Sequence, residues 1–394
     1  MTHLGISVYP DLRPLDEIEE YFKLAGRYGV TRCFSSMFSV EGTKEEVLDY
    51  FRKLIEAAHR YGIQVSLDVN PKCFAKMGAT AEDLSVFRSI DVDILRMDLS
   101  FGLEKDMALI NNPYGIGIEL NAAIIDPQPL VDAGVDPKKI SLCHNFFPQQ
   151  YTGMRFDKFM EINRKLKAAS RDISVGAFIS SNASDTHGVW GAVKGLPTVE
   201  RMRNLPIDLQ ARLMLATGDV DDVLIGNAYA SEEELKALSE ILTARDMQKE
   251  AENNPFLKMF LSYGIIDEKT TSSVKIRVEE ESGISEDERG LLYDFFPHYM
   301  GDGSEWMMHS RMSRGIYSQP DHHILPRKYS ADHFSRGDVL VVNDSYKHYC
   351  GEVQIALDDM DNDGIRNCIG HITGDELQLL DVISTPCIIE FLKK

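Results

Sequence analysis

The 394-residue chain is poor in several signals at once, and each gap removes a class of function. Its six cysteines (Cys33, Cys73, Cys143, Cys350, Cys368 and Cys387) include no CxxC pair, which excludes the common zinc-ribbon and dithiol spacings and favours buried free thiols. No apolar run reaches the roughly 18 residues of a membrane-crossing helix. The start, MTHLGISVYPDLRP, lacks a basic stretch leading into an apolar core, so no secretory leader is expected. Basic residues are scarce: 42 Lys plus Arg against 62 Asp plus Glu leave a formal charge of −20 and a surface that repels polyanions. Nucleic acid and membrane are therefore not expected partners, and the chain reads as cytoplasmic. Neither GxGxxG nor GxxxxGK followed by Ser or Thr occurs, which counts against an open nucleotide-binding sheet.

What is present is a regular alternation. Short β-branched runs (LGISVY, TRCFSSMF, IQVSLDVN, DILRMDL, GIELNAAI, ISLCHNFF, SVGAFISS and DVLIGNAY) are separated by amphipathic stretches such as Leu15 to Tyr28, Thr43 to Arg60, Phe156 to Ala169 and Thr198 to Ala216. Eight such repeats predict an α/β fold, a (β/α)8 TIM-type barrel. A helical stretch from Ser231 to about Leu261 should close it. Beyond Asp267 the texture turns to short strands, VKIRVEE, EWMMHSRMS, GDVLVVND, GEVQIAL, RNCIGHIT, LQLLDVI and CIIEFLK, as in a small all-β barrel. The expected domains are 1–268 and 269–394.

Working residues of such barrels sit at the C-terminal strand ends. The third run ends in Asp68 and Asn70, the fourth carries Arg96 and Asp98, and the fifth carries Glu119 and Asn121. Each pair is two apart and shares one strand face. Glu41, after the second run, is a further acid. Paired carboxylates are what glycoside hydrolysis requires, one protonating the leaving oxygen while the other attacks or activates water. The same acids would also serve a divalent-metal-dependent sugar-phosphate isomerase or lyase, and the polar ring could instead make a non-catalytic phosphosugar-binding protein. Ion-paired structural acids are the plain reading of any single one. Asp98 and Glu119 lead as the catalytic pair, ahead of Asp68 and Glu41.

Later strand ends offer His144 and Asn145, then Ser180, Ser181 and Asn182, then Asn227, suited to hydroxyl and phosphate groups; Arg155 is the nearby cation. Ser231 with Glu234 reads as a helix cap. Cys143 and His144, being adjacent on a strand, face opposite ways and cannot form a thiol–imidazole couple. DMDNDG at Asp359 to Gly364 opens like a calcium loop, but Gly370 stands where the bidentate Glu belongs, so a turn is expected. His309, His322, His323 and His333 show no zinc spacing. No cofactor and no metal are expected. Arg311, Arg314, Arg327 and Arg336 are expected to be solvated, with a sugar contact or a homodimer contact as their alternatives.

The runs LGISVYP, SLDVNP, LRMDLSFG, IELNA, CHNFFPQQYTG, FISSNA and GLPTVE, with HHILPRKYSADHFSRGDVLVVND, resemble the bacterial 6-phospho-N-acetylmuramidase family over essentially the whole chain. That resemblance implies a TIM-type barrel followed by a cyclophilin-like β-barrel. It also implies hydrolysis of a 6-phospho-N-acetylmuramic acid–N-acetylglucosamine disaccharide during cell-wall recycling, so the expected partner is a small phosphorylated sugar.

Overall fold

The computed structural model describes residues 3–10, 12–37, 40–192, 194–243, 245–267, 271–317 and 319–394. Strands β1 (His3–Ser7), β2 (Val30–Ser36), β3 (Gln64–Val69), β4 (Ile94–Met97), β5 (Gly117–Asn121), β6 (Ser141–Cys143), β7 (Ser174–Ile179) and β8 (Asp222–Ile225) close in sequential order into a parallel barrel. The last strand returns to the first through Leu4 against Val223. Helices cover the outside because their apolar residues recur every three to four positions: Leu15–Arg27 buries Ile18, Tyr21, Phe22 and Ala25. The next, Lys44–His59, starts at a capping box in which Thr43 accepts from Glu46 N and Glu46 reaches back to Thr43.

Two helical expectations change. The stretch from Thr198 becomes a short turn of 3-10 helix at Glu200–Met202 and then a helix at Ile207–Ala216, because Pro206 bars a helical conformation at the residue before it. The stretch from Ser231 breaks into Glu232–Leu242, Met247–Ala251 and Pro255–Ser262, the second and third restarting at the caps Asp246 and Asn254. The compact units are Met1–Met214 with Asp219–Thr243, and Leu215–Gly218 with Ala244–Lys394. The two later helices thus go with the second unit, upstream of the expected division at 268.

That second unit contains β9 (Ser272–Glu280), β10 (His298–Gly303), β11 (Met307–Ser310), β12 (His333–Phe334), β13 (Asp338–Val342), β14 (Val353–Ala356), β15 (Met360–Asp361), β16 (Arg366–His371) and β17 (Cys387–Lys393). Seven of these close a second barrel in the order β10-β11-β14-β13-β16-β9-β17, and β12 with β15 forms a separate two-stranded sheet. LQLLDVI, expected as a strand, lies largely in the 3-10 helix Gly374–Asp381, which buries Leu379 and Leu380. The DMDNDG run supplies β15 and the turn into β16, with Asn362 Oδ1 accepting from Gly364 N. Among the described residues no helix is long and apolar enough to cross a membrane.

Strand alternation fixes what fills the first barrel. Inward positions are uncommonly ionic: Arg32, Arg96, Glu119 and Asp222 are all buried. Phe34 and Phe178 pack edge-to-face with each other and with Phe146, ring centroids 5.1–5.8 Å apart, making an apolar layer inside the barrel. Each such ring pair contributes about 0.5–1.5 kcal/mol beyond its buried area. Gly176 is small because Cys143 Sγ would stand 3.2 Å from any Cβ placed there.

Candidate active site at the barrel mouth

At the C-terminal end of β3 to β6 one guanidinium gathers the polar groups. Arg96 Nη1 is 2.7 Å from Asp68 Oδ1 and 3.9 Å from Asp98 Oδ1, which holds those two oxygens within about 6.6 Å of each other. Arg96 Nη2 donates to Asn145 Oδ1, and Asn121 Nδ2 donates to the Asp98 carbonyl at 3.2 Å. Asp68 is 14% exposed and Asp98 42%, so both carboxylates are reachable from solvent. Burial pushes the Asp68 carboxyl up to about 6; Arg96 pulls it down, while Asp98 and Glu119 push the same way as burial. The barrel end therefore pairs one carboxyl that holds its proton towards neutrality with a more exposed neighbour.

Glu119 occupies a different place. Its side chain is 1% exposed; Oε2 accepts from Arg32 Nη2 at 2.5 Å and from Ser141 Oγ at 3.4 Å. Arg32 also binds Asp222 at 3.0 Å, and Asp222 binds His3 Nδ1 at 2.8 Å. His3 and Asp222 are the first residues of β1 and β8, so this group lies towards the opposite end of the barrel from Asp98. The expectation of Glu119 as partner to Asp98 is corrected on that ground: Oε2 is held by Arg32, Oε1 is buried without a hydrogen-bond partner, and the carboxylate is sealed from solvent.

The description "6-phospho-N-acetylmuramidase, N-terminal" matches residues 4–240, and "6-phospho-N-acetylmuramidase, C-terminal" matches residues 274–391. The chain belongs to the 6-phospho-N-acetylmuramidase family. Among solved structures, an uncharacterized B. cereus protein is 30% identical with a TM-score of 0.79, covering 100% of this chain and 99% of its own. A conserved Enterococcus faecalis protein of unknown function is 20% identical with a TM-score of 0.61, covering 100% and 96%, and shares the fold. Comparison with curated proteins finds no match.

Within this 6-phospho-N-acetylmuramidase family member the other expected site residues fall into distinct places. Asn70 caps the helix Pro71–Met77 by accepting from Cys73 N, and Glu41 is exposed beyond β2. His144 points away from the barrel interior: its Nε2 meets Asn163 Oδ1 at 2.7 Å, its ring packs on Phe159, and burial pushes it down to about 4. It is a neutral core imidazole, so the expected sugar contact is corrected. Cys143, its neighbour, is buried as alternation requires. Arg155 is 83% exposed and paired with Asp157 two residues on, a solvated arginine at a helix start rather than a mouth cation.

The ends of β7 and β8 are already saturated. Asn227 Oδ1 accepts from Ser181 N and Ser180 Oγ, while Asn227 Nδ2 donates back to the Ser181 carbonyl. Asn182 Nδ2 donates to the Leu205 carbonyl. The Glu234 carboxylate takes Ser181 Oγ at 2.5 Å, Asn182 N at 3.0 Å and Ser231 N at 3.0 Å. A side-chain carboxylate thus occupies the helix N-terminus where barrels commonly hold phosphate.

A cation that sequence reasoning missed stands nearby. Arg13, in the loop after β1, reaches Asp185 at 2.8 Å and His187 Nε2 at 3.3 Å, and lies 4.1 Å over the Tyr229 ring. Tyr229 Oη is buried without a hydrogen-bond partner. Asp185 and His187 follow β7 and Tyr229 follows β8, so loops far apart in sequence build this patch; nothing local to Arg13 signals it.

Proposed function

We propose that the chain is a glycosidase that hydrolyses the bond between 6-phospho-N-acetylmuramic acid and N-acetylglucosamine, the disaccharide its family is named for. The observation that carries this reading is the pair Asp68 and Asp98, both solvent-reachable and both gathered on Arg96. Asp68, with its carboxyl raised to about 6, is the general acid that protonates the leaving oxygen. Asp98, the more exposed of the two and 3.9 Å from Arg96, is the nucleophile. A separation under about 6.6 Å supports the retaining course, in which the carboxyls stand about 5–5.5 Å apart, over the inverting one at about 6.5–9.5 Å. Asn145, half-buried beside Arg96, serves sugar hydroxyl or N-acetyl groups, whereas Asn121 is buried with its amide used by the Asp98 carbonyl and Ala123 N, so its expected sugar contact is corrected.

For the phosphate, Arg13 with His187 is the candidate: Arg13 is partly exposed, and a phosphate dianion would displace the exposed Glu17 and Asp185 carboxylates it now pairs with, whereas the serines and asparagines of β7 and β8 are bonded to one another and to Glu234. A guanidinium with several forked donors suits a phosphate dianion even in a protein of net charge −20. Such a substrate places the work in the cytoplasm, on phosphorylated cell-wall fragments. The test is turnover on the phosphorylated disaccharide against its unphosphorylated form, with NMR of the fresh product. Release of N-acetylglucosamine from the phosphorylated form, with the anomeric configuration of the muramic sugar kept, is expected. Failure to cleave either form overturns the proposal, and cleavage of both equally removes the phosphate part.

A further inference from the structure

The second unit holds a side-chain cluster that the glycosidase reading does not use. Among the described residues, Glu281, Cys368 and His371 are the one set of three metal-ligating side chains whose donor atoms all lie within 4.8 Å of one another. We propose that these three bind a zinc-type divalent cation, through Cys368 Sγ, His371 Nε2 and Glu281 Oε2, with water in the fourth position.

His371 and Glu281 are each oriented by a second contact, as metal ligands are. His371 Nδ1 faces Asp338 Oδ1 at 2.7 Å, while Asp338 Oδ2 is fixed by Ser335 N at 2.9 Å. This carboxylate fixes the ring with Nε2 towards Glu281, and a metal there takes the place of the proton between Nε2 and Oε2. Glu281 Oε1 accepts from Ser282 N at 2.6 Å and Ser282 Oγ at 2.9 Å, which turns Oε2 towards His371 Nε2 at 3.0 Å. Cys368 Sγ lies 3.9 Å from Nε2. Zinc bonds of about 2.3 Å to sulfur and 2.0–2.1 Å to nitrogen or oxygen set S···N near about 3.5 Å and N···O near about 3.3 Å in a tetrahedron. The N···O spacing is slightly short of its value, while Cys368 Sγ is almost equally far from Nε2 and from Nδ1, at 3.9 and 4.0 Å, off the Nε2 lone-pair direction, so Cys368 must change rotamer to complete the set. Thiolate, imidazole and carboxylate together match zinc or cobalt better than calcium or magnesium, and binding releases two protons, one from the Cys368 thiol and one from the His371 imidazolium.

The location gives the metal a task. His371 ends β16, Asp338 begins β13 and Glu281 follows β9 directly. The β16–β9 seam pairs at two positions, Gly370 with Glu280 and His371 with Glu279, the shortest register in that barrel among the described residues. A cation bound to Glu281, Cys368 and His371 fastens this seam, and binding only the folded form stabilises it.

The test uses the full-length chain after chelator treatment. Titration with cobalt(II) is expected to give one tetrahedral site per chain, with a thiolate charge-transfer band in the near ultraviolet. Native mass spectrometry of the wild type is expected to show one zinc per chain, a readout independent of any variant's folding. Cys368→Ser removes the band, Cys350→Ser keeps it, and Asp338→Asn weakens binding by about 10- to 100-fold. Zinc raises the melting temperature of the wild type and not of Cys368→Ser. A missing thiolate band, or equal binding by Cys368→Ser, overturns the proposal and leaves His371 as an imidazolium bridging two carboxylates. Disaccharide turnover enters none of these readouts, so failure here and failure of the glycosidase reading are separable.

Discussion

Two ionic groups share the interior of the first barrel, and they differ in what they can do. Arg96 and Glu119 are register partners on β4 and β5, yet Arg96 faces Asp68 and Asp98 at the strand ends while Glu119 faces Arg32 and Asp222 below. Both groups join arginine to carboxylates at close range. Only the upper one has solvent on one side, with Asp98 at 42% exposure against 1% for Glu119. Residue type therefore does not separate a structural ion network from chemistry; access does. The lower group contributes little net stability compared with an apolar core, but removing one partner strands the other's charge at a cost of about 3–5 kcal/mol.

The sharpest way to break the comparison is to neutralise one acid in each group. Asp98→Asn and Asp68→Asn are expected to lower kcat on the phosphorylated disaccharide by about 10²–10⁴-fold with melting curves near wild type. Glu119→Gln is expected to do the reverse, losing about 3–5 kcal/mol in urea unfolding while the folded fraction keeps kcat within about tenfold. A stable, inactive Glu119→Gln would move the chemistry to the lower group.

A second expectation sharpens the difference through pH. With the Asp68 carboxyl at about 6 and acting as the acid, kcat/KM should fall roughly tenfold per unit as pH rises above 6, since the needed proton is lost. A profile flat from pH 5 to 8 would remove Asp68 from that role. Smaller again is the phosphate arm: Arg13→Ala should raise KM for the phosphorylated substrate by about 10- to 100-fold, the worth of a charge-assisted hydrogen bond, and leave other substrates unaffected. Equal KM changes on both substrates would count against it.

The last effect concerns stability alone. His144 in the first barrel and His298 in the second unit are buried and pushed down to about 4. Their folded pKa lies below the unfolded value near 6.5, so unfolding takes up protons between those limits. The stability they confer is full above pH 6.5 and is lost as pH falls towards 4, by at most about 1.4 kcal/mol per unit for each histidine. Urea midpoints between pH 7 and 5 check this. A midpoint that rises on acidification would contradict it.

Much of the fold was legible because strand and helix periods are written locally. The run IQVSLDVN and its seven counterparts announced a parallel barrel, and positions two apart placed Arg96 with Asp98 and Glu119 with Asn121 on inward faces. Cys143 and His144 separated to opposite faces as alternation demands. LQLLDVI misled because five apolar residues within seven fit a strand as well as a short helix, and only packing of Leu379 and Leu380 decides between them.

The sequence by itself thus determined the element order, the face each side chain takes and the family of the chain. Tertiary structure alone decided depth and company: Glu119 sealed beneath Asp98, Glu234 filling the helix start that a phosphate would take, Arg13 set against Tyr229, and Glu281 beside Cys368 and His371. Periodicity fixes direction around a strand or helix. Distance along the barrel axis, and contact between residues more than 80 positions apart such as Glu281 and His371, are set only when the barrels close.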